Sequence, residues 1–398
     1  MNILYVSQWF SPAGGGGEVV FYNLANGMAR RGHKVEVICA QIANNNNNTE
    51  NQLYNVTIYR VKPILHLPPP PTLKQNILYI IQATIKGYQV IKDKSIEVIH
   101  ANNLASVIVG SILSKITRIP LIITIHDIFT TSSPKHWKSW IAQDDKISRM
   151  TSIIAPLLEK ITVKMPTDII HTVSNSSKED LVKFGAKAQI KVVPNGIDLR
   201  VYDSVQPTKD YQKYVLFIGR LVFYKNLDTI ISSFVDVVRK SPDSKMFVVG
   251  DGPMKEKWQK IVSDLNLDKS IEFTGLISEE KKIELLSRCS AVLLPSFVEG
   301  FGLVILESFA MSKPVLVADV KPLSEIVDDG IDGFVLPVHD PIKWSEKISF
   351  LLKNREICKK MGSQGRMKLE KNFNIDDILD NIESIYRSLL KDRRKIIS

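Results

Sequence analysis

The sequence predicts an α/β protein of two Rossmann-like domains, each with a parallel sheet covered by helices. Short β-branched runs alternate with longer helical patterns along nearly the whole chain, which is typical of parallel sheets. At 398 residues the chain is too long for one ordinary core, because domains usually hold about 100–200 residues. With 44% hydrophobic and 24% charged residues, the composition is globular.

Thirteen strands are predicted from the apolar runs. Those of the first half are 2–7, 34–40, 56–61, 96–101, 120–126, 168–174 and 190–196. Those of the second half are 214–219, 245–250, 271–275, 291–295, 314–318 and 333–338. Between the halves, 198–214 carries turn residues and charges with little periodicity, and it is the predicted linker. Pro63 and the prolines of 68–71 predict a loop before a helix that starts near Thr72.

Charge and cysteine content restrict the partners and the compartment. Lysine and arginine total 52 against 42 acidic residues, a net charge of +10, which favours anionic partners such as a nucleotide or a lipid headgroup. Cys39, Cys289 and Cys358 follow no disulfide or zinc spacing. The N-terminus reads as a buried strand rather than a signal peptide, and no apolar run reaches the ~20 residues of a membrane span. We expect a cytoplasmic protein.

A glycine run follows the first strand and leads into a helix. Gly16 and Gly17 end this run, but a dinucleotide fingerprint fails because its third glycine position holds Val19 or Val20. The glycines still allow a ligand to approach the backbone closely. A plain flexible turn is the alternative.

Basic residues follow the first strand of the second half. Gly219 and Arg220 end this strand and Lys225 follows, before a helix expected to be capped by Asn226. A forked guanidinium beside a mobile ammonium suits a diphosphate, although solvated surface residues would look the same. Gly252, after the next strand, belongs either to a structural turn or to a ligand loop.

The stretch SFVEGFGLVILESFAMSKPV, residues 296–315, places two acids around a glycine turn. A helix is predicted to begin near Gly302, and its first free N–H groups, over 301–304, can hold phosphate oxygens. Glu307 lies about 7 Å farther along the axis, at about 1.5 Å per residue, which suits a ribose. Glu299 would meet the sugar beyond the phosphates. The alternative is that Glu299 stabilises the helix dipole and Glu307 is solvated.

Taken together, these motifs resemble those of the retaining GT-B glycosyltransferases of family 4. The resemblance covers almost the full length and rests on GGGGE, ITIHD, VSNSSKEDL, VVPNGID, GRL followed by YKN, VGDGP and EGFGLVILE. It implies two Rossmann-like domains facing each other across a cleft, with the acceptor in the first and a nucleotide-diphosphate sugar in the second. The implied boundaries are 1–200, 201–374 and a final helix, 375–398, that crosses back to the first domain.

The resemblance also implies roles for particular residues. Arg220 and Lys225 would hold the diphosphate, Glu299 the donor sugar and Glu307 the ribose. His126 would lie beside the sugar, presenting its ring or its carbonyl. The implied backbone contacts to the donor come from Gly16, Gly17, Gly219, Gly252, Phe301, Gly302, Leu303 and Val304.

The implied reaction is transfer of a hexosyl group with retention of configuration. No DxD element sits in a suitable loop, since Asp144 with Asp145 and Asp328 with Asp329 occupy helical or turn contexts, so we expect neither metal nor cofactor. The alternatives are a nucleotide-sugar epimerase of GT-B fold, with His126 and Glu299 as acid and base, and a catalytically silent sugar-nucleotide binding protein.

The acceptor is expected to be a glycan or a lipid-linked glycan, and no nucleic-acid partner is expected. The segment 134–165 holds six basic residues, three acids and two tryptophans. Such a segment could rest on an anionic membrane surface. Solvated helices covering the first domain are the alternative.

Overall fold

In the computed structural model, residues 1–10, 16–43, 55–65, 71–128, 151–205 and 213–397 are described. The chain divides into two compact units. The first is Met1–Asn195 with Asp376–Ser398, and the second is Gly196–Ile375. Each contains a parallel sheet with helices, which confirms the predicted α/β class.

The first unit contains a seven-stranded parallel sheet in the order β3-β2-β1-β4-β5-β6-β7. Its strands are β1 Asn2–Ser7, β2 Lys34–Ile42, β3 Val56–Leu65, β4 Val98–Asn102, β5 Leu121–Thr124, β6 Ile169–Thr172 and β7 Gln189–Val192. Its first five helices are α1 Gly16–Arg30, α2 Leu73–Lys94, α3 Leu104–Thr117, α4 Thr151–Val163 and α5 Asn175–Phe184. The order reverses between β1 and β4, so the loops after these two strands diverge from one edge of the sheet.

Pro63 lies inside β3 instead of in the loop that was predicted around it. A proline is tolerated there because β3 is an edge strand, and because the register with β2 shifts between Ala40 and Gln41, leaving Pro63 unpaired. The helix beyond the loop starts as predicted, since the Thr72 side chain accepts a hydrogen bond from the Gln75 N–H in a capping box.

The second unit contains a six-stranded parallel sheet in the order β10-β9-β8-β11-β12-β13. Its strands are β8 Tyr214–Ile218, β9 Lys245–Val249, β10 Ile271–Gly275, β11 Ala291–Leu294, β12 Val315–Ala318 and β13 Gly333–Leu336. Its helices are α6 Leu199–Asp203, α7 Leu227–Lys240, α8 Lys255–Asp264, α9 Glu279–Arg288, α10 Leu303–Ala310, α11 Leu323–Ile326, α12 Pro341–Lys353 and α13 Arg355–Asn372.

The strand order of this unit indicates where a ligand can bind, and the predicted linker is partly helical. The strand order reverses between β8 and β11, and open α/β sheets bind ligands at such a switch point, beyond the carboxyl ends of the strands. The predicted linker contains a short helix, α6, because the Asp198 side chain accepts from the Arg200 N–H at 3.1 Å and caps it.

The last helix, α14 Ile375–Ile397, belongs to the first unit from Asp376 onward. A β-carbon added to Gly27 would lie 2.4 Å from Cδ1 of Leu379, so a glycine in α1 allows α14 to pack closely against it. Arg31 forms ion pairs with Asp380 and Glu383. Apolar contact and charge therefore both attach the C-terminal helix to the first unit.

A chain of hydrogen bonds crosses the buried interior of the first unit. It links Tyr5, Tyr386, His100, Thr124, His171 and the carbonyl of Val193. All six residues are less than 10% exposed. Four strands, α14 and the segment after β7 are joined by this chain.

The last acceptor in this hydrogen-bond chain determines which group donates and which accepts at each of its links. The Val193 carbonyl can only accept, so Nε2 of His171 carries hydrogen and Nδ1 accepts from the Thr124 hydroxyl. Thr124 then accepts from Nε2–H of His100, whose Nδ1 accepts from the Tyr386 hydroxyl. Tyr5 in turn donates to Tyr386. Burial lowers the pKa of both histidines, which keeps the rings neutral as this chain requires.

Candidate active site

The loops after β8 and β11 lie side by side because these strands pair in the second sheet. The Phe297 N–H donates to the Tyr224 carbonyl at 3.0 Å, which joins the two loops directly. Asn226 adds a second link, since its side-chain amide donates to the Pro295 carbonyl at 3.1 Å and the Val338 carbonyl at 2.9 Å. Asn226 is the N-cap residue of α7, as predicted, but its side chain makes no cap hydrogen bond and its backbone is left-handed, with φ of 55°.

Lys225 and Glu299 meet where these loops join. Nζ of Lys225 lies 2.6 Å from Oε2 of Glu299, and each side chain is 16% exposed. Burial alone would lower the pKa of Lys225, but the Glu299 carboxylate and then Tyr224 outweigh it and raise that pKa. A permanent cation and a hydrogen-bond acceptor are therefore held together at the carboxyl edge of the sheet.

Arg220 follows β8 and is exposed; within the described residues its side chain forms no hydrogen bond or ion pair, so the guanidinium is available to an anion. Gly252 comes close to this loop for a structural reason. The Leu221 N–H donates to the Asp251 carbonyl at 2.9 Å, and a β-carbon on Gly252 would lie 2.4 Å from the Leu221 carbonyl oxygen. Its predicted contact with a donor stays a prediction.

The N-terminus of α10 lies in the loop that carries Glu299. Gly302 is the N-cap residue with φ of 90°, a left-handed conformation that favours glycine, and a β-carbon there would lie 2.7 Å from Cδ2 of Leu323. The helix therefore begins at Leu303, and the N–H groups of its first turn lack intrahelical acceptors. Phe301 is buried and its ring packs against Phe373, so any ligand contact from Phe301 comes from its backbone.

Glu307 lies one turn into α10 and pairs with a residue that the sequence did not single out. Its Oε1 is 2.9 Å from Nζ of Lys282 on α9, while its Oε2 is buried and has no hydrogen-bond partner within the described residues. Burial raises the pKa of Glu307, and the Lys282 charge opposes that rise. Lys282 was missed because its pattern, EEKK at a helix start, is common on solvated surfaces.

In the first unit, His126 follows β5 and is only 7% exposed. Its backbone carbonyl accepts from the Ser177 hydroxyl at 2.9 Å, and its Nε2 is buried without a hydrogen-bond partner within the part of the chain that is described. A β-carbon on Gly17 would lie 3.3 Å from Cδ2 of His126. Burial, followed by the nearby His171, lowers the pKa of His126 to about 3, so the ring is neutral at physiological pH.

The predicted site residues thus form two groups. The second unit brings Gly219, Arg220, Lys225 and Glu299 together with the N-terminus of α10. The first unit brings the start of α1, at Gly16 and Gly17, against His126. Each grouping follows from parallel strands whose carboxyl ends share one edge.

The described residues contain neither a candidate metal cluster nor a candidate membrane-spanning helix. No cluster of three or more histidine, cysteine or acidic side chains there could hold a metal ion. Asp328 pairs instead with Lys368 at 2.7 Å, and Asp144 with Asp145 lies outside the described residues, as does 134–150. None of the described helices combines the length and the apolar character of a bilayer span.

Two family models together cover most of the chain. The model for Glycosyltransferase Family 4 matches residues 14–201, and the model for Glycosyl transferases group 1 matches residues 201–368. An uncharacterised glycosyltransferase of Methanocaldococcus jannaschii is 29% identical over 343 residues, which is 85% of this chain and 87% of that protein. The chain is a GT-B glycosyltransferase of family 4.

Two further proteins similar to this glycosyltransferase are associated with a particular sugar nucleotide, one by its name and the other by its solved structure. The Escherichia coli UDP-Gal:alpha-D-GlcNAc-diphosphoundecaprenol alpha-1,3-galactosyltransferase is 24% identical over 341 residues, covering 81% of this chain and 84% of that protein. The Anabaena protein HepE, solved with UDP-glucose, superposes with a TM-score of 0.75 at 20% identity, over 98% of this glycosyltransferase and 100% of that chain. This structural likeness shows the fold.

Proposed function

We propose that this glycosyltransferase moves a hexosyl group from a nucleotide-diphosphate sugar to a glycan or lipid-linked acceptor, with retention of configuration and without a metal ion. The observation that carries the proposal is the Lys225–Glu299 pair beside Arg220 and the start of α10, at the switch point of the second sheet. A guanidinium, an ammonium group and free N–H groups in one loop cluster suit a diphosphate.

The chemistry follows from where charge develops. As the bond between the sugar and the diphosphate breaks, negative charge accumulates on the leaving phosphate. Arg220, Lys225 and the N–H groups of 302–304 would stabilise that charge, which is preorganised electrostatic catalysis. Glu299, held by Lys225, would accept from hydroxyl groups of the donor sugar. Neutral His126 would donate to a sugar hydroxyl or present its carbonyl.

Support for a nucleotide-sugar donor comes from HepE, which was solved with UDP-glucose. Retention rests on the family resemblance, in which the leaving phosphate takes the acceptor's proton at the front face. The epimerase and the silent binding protein are not favoured, because the family models and the relatives are glycosyltransferases.

A nuclear magnetic resonance time course of transfer, run in excess EDTA, tests this reaction. We expect full activity in the chelator and a product with the anomeric configuration of the donor. Loss of activity in EDTA that added metal restores would refute metal independence, and a product of inverted configuration would refute retention.

We further propose that the acceptor is lipid-linked and that the first unit rests on an anionic membrane. The support is an exposed apolar stripe on α2, where Ile77, Ile81 and Ile85 recur every fourth residue and are each about half exposed. Exposed lysines at both ends of the helix, Lys74 and Lys92, would meet lipid phosphates.

Helix α4 also carries exposed apolar side chains beside exposed lysines. Leu157 and Ile161 are exposed one turn apart, and the neighbouring Lys160 and Lys164 are exposed as well. Both α2 and α4 pack against α3, so the two helices lie in one layer. A second copy of the chain fits the stripe less well, because antiparallel pairing of two α2 helices would oppose lysine to lysine.

Flotation with liposomes tests this contact. We expect binding to vesicles containing phosphatidylglycerol, weakened by salt because surface attraction is screened within about 8–10 Å near physiological ionic strength. A triple variant, Ile77→Ser, Ile81→Ser and Ile85→Ser, should lose flotation. A Leu276→Ser variant, which alters an exposed leucine of the second unit, should keep it. Equal flotation of both variants, or none by the unaltered protein, would refute the contact.

A further inference from the structure

Lys282 bridges two carboxylates at the edge of the second sheet. Its Nζ lies 2.9 Å from Oε1 of Glu307 and 2.9 Å from Oε1 of Glu279 in its own helix. The Lys282 and Glu307 side chains are each 16% exposed, whereas Glu279 is 53% exposed. Exposed pairs within a helix contribute little to stability, so the sheltered contact with Glu307 is the one that fixes a geometry.

The Glu307 carboxylate is only half satisfied. Lys282 occupies Oε1, and Oε2 is buried without a hydrogen-bond partner within the described residues. An ionised carboxylate oxygen accepts two hydrogen bonds, and a buried acceptor is costly to leave unpaired. An oxygen that is sheltered, charged and unpaired is poised to accept hydrogen bonds from a ligand.

We propose that Lys282 is a positioning residue, which holds the Glu307 carboxylate so that its Oε2 accepts from the ribose hydroxyls of the donor nucleotide. This inference rests on the proposed donor and on the role that the family resemblance gives to Glu307. Lys282 itself need not touch the nucleotide. Its contribution is to keep the carboxylate ionised and to stop it from rotating.

The charges around Glu307 make the role of Lys282 testable by pH. Burial raises the pKa of Glu307, and among its neighbours Lys282 is the cation that opposes this rise. From α6, Tyr202 is buried, and burial followed by the charges of Glu307 and Glu279 raises its pKa, so it stays neutral. From α13, Arg366 donates to the Ala310 carbonyl at the far end of α10 and pairs with Asp203. Removing Lys282 therefore leaves Glu307 to protonate at a higher pH.

The test compares the affinity of the protein for a nucleoside diphosphate with its affinity for the same diphosphate lacking the 2′ and 3′ hydroxyls. Isothermal titration calorimetry is run with UDP, GDP and ADP, each beside its 2′,3′-dideoxy counterpart. Hydrogen bonds to a charged acceptor should make the preferred diphosphate bind about 10–100-fold more tightly than its dideoxy form. In Lys282→Met this ratio should fall towards one at pH 6.5 and recover as the pH is raised, whereas in Lys282→Arg it should be largely retained.

A neighbouring lysine provides the matched control. Lys281 precedes Lys282 in α9 but pairs with Glu284, and both of those side chains are about half exposed. Lys281→Met should leave the ratio unchanged. Glu307→Gln should lower the affinity ratio to about one. Adding Lys282→Met to Glu307→Gln should not change the ratio further, because both substitutions act on one contact.

The outcomes separate the inference from the function on which it rests. If no nucleoside diphosphate binds the unaltered protein, the proposed donor fails and the inference fails with it. If a diphosphate binds and Lys282→Met keeps the ribose preference at every pH, the donor stands and the inference is overturned. A pH-independent loss shared equally by Lys282→Met and Lys282→Arg would also overturn it, because that result indicates simple disruption of the fold.

Discussion

Replacing Tyr386 with phenylalanine should destabilise the first unit more than the same change at Tyr5. The Tyr386 hydroxyl is in the middle of the buried hydrogen-bond chain, 2.7 Å from Nδ1 of His100 and 2.9 Å from the Tyr5 hydroxyl. Tyr386→Phe keeps the ring and its packing, yet it leaves Nδ1 of His100 without a donor and the Tyr5 hydroxyl without an acceptor.

The magnitude follows from counting unpaired groups. A buried polar group left unpaired costs about 1–3 kcal/mol, so two such groups should cost roughly 2–6 kcal/mol of unfolding free energy. For a unit of this size each kcal/mol lowers Tm by about 2–4 °C, which gives a loss of roughly 4–24 °C. Tyr5→Phe removes only the terminal donor, so about 1 kcal/mol and 2–4 °C are expected.

Scanning calorimetry on the full chain measures the two shifts. Hydrogen exchange of peptides from β1 and β4 assigns the affected transition to the first unit, because a chain of two units need not unfold in one step. In the double variant only His100 is left unpaired, so Tyr5→Phe should cost nothing more once Tyr386→Phe is present. Additive losses, or a larger loss for Tyr5→Phe, would refute the deduced order of donors and acceptors.

Three further predictions concern the site and its surroundings. Lys225→Ala and Glu299→Ala should each lower kcat/KM about 10²–10³-fold, the usual cost of losing a charged contact made at the transition state; near-normal turnover of either variant would remove that residue from the site. Gly17→Ala should lower kcat/KM while leaving Tm nearly unchanged, because its β-carbon would press on the His126 ring at 3.3 Å; an unchanged rate would show that this contact is unimportant. Burial lowers the pKa of His126 to about 3 and that of His171 to about 4. The unfolded chain therefore binds more protons below about pH 6.5, and stability should fall by up to about 1.4 kcal/mol per pH unit for each ring as the pH drops towards 4; calorimetry showing a flat Tm over this interval would contradict buried, neutral rings.

Much of the second unit's site could be read from the sequence. Gly219, Arg220 and Lys225 follow one strand, and Glu299 follows another; parallel strands deliver the residues after their carboxyl ends to one edge of the sheet, so their proximity was foreseeable. The partnership of Lys225 with Glu299 was not, because it requires that β8 and β11 be neighbours. Strand order depends on long-range packing, which local periodicity does not encode.

Other features were out of reach of the sequence for the same reason. Asn226 occupies the predicted N-cap position, but its side-chain amide donates to the carbonyls of Pro295 and Val338, in loops that follow two distant strands. Pro63 looks like a strand breaker, but an edge position and a register shift accommodate it. Lys282 looks like one of several surface lysines, and only the packing of α9 beside α10 places it against Glu307.

By itself the sequence determined the fold class, the thirteen strands and the glycine turns, because these depend on local periodicity and on backbone freedom. It also determined which charged side chains follow each strand. The tertiary structure decided which charges meet. It places Lys225 in an ion pair with Glu299 and Lys282 in an ion pair with Glu307, and it brings the Tyr386 hydroxyl within hydrogen-bond distance of His100. Each of these contacts unites residues that are tens to hundreds of positions apart, and their distances are set by which strands and helices become neighbours when apolar faces are buried.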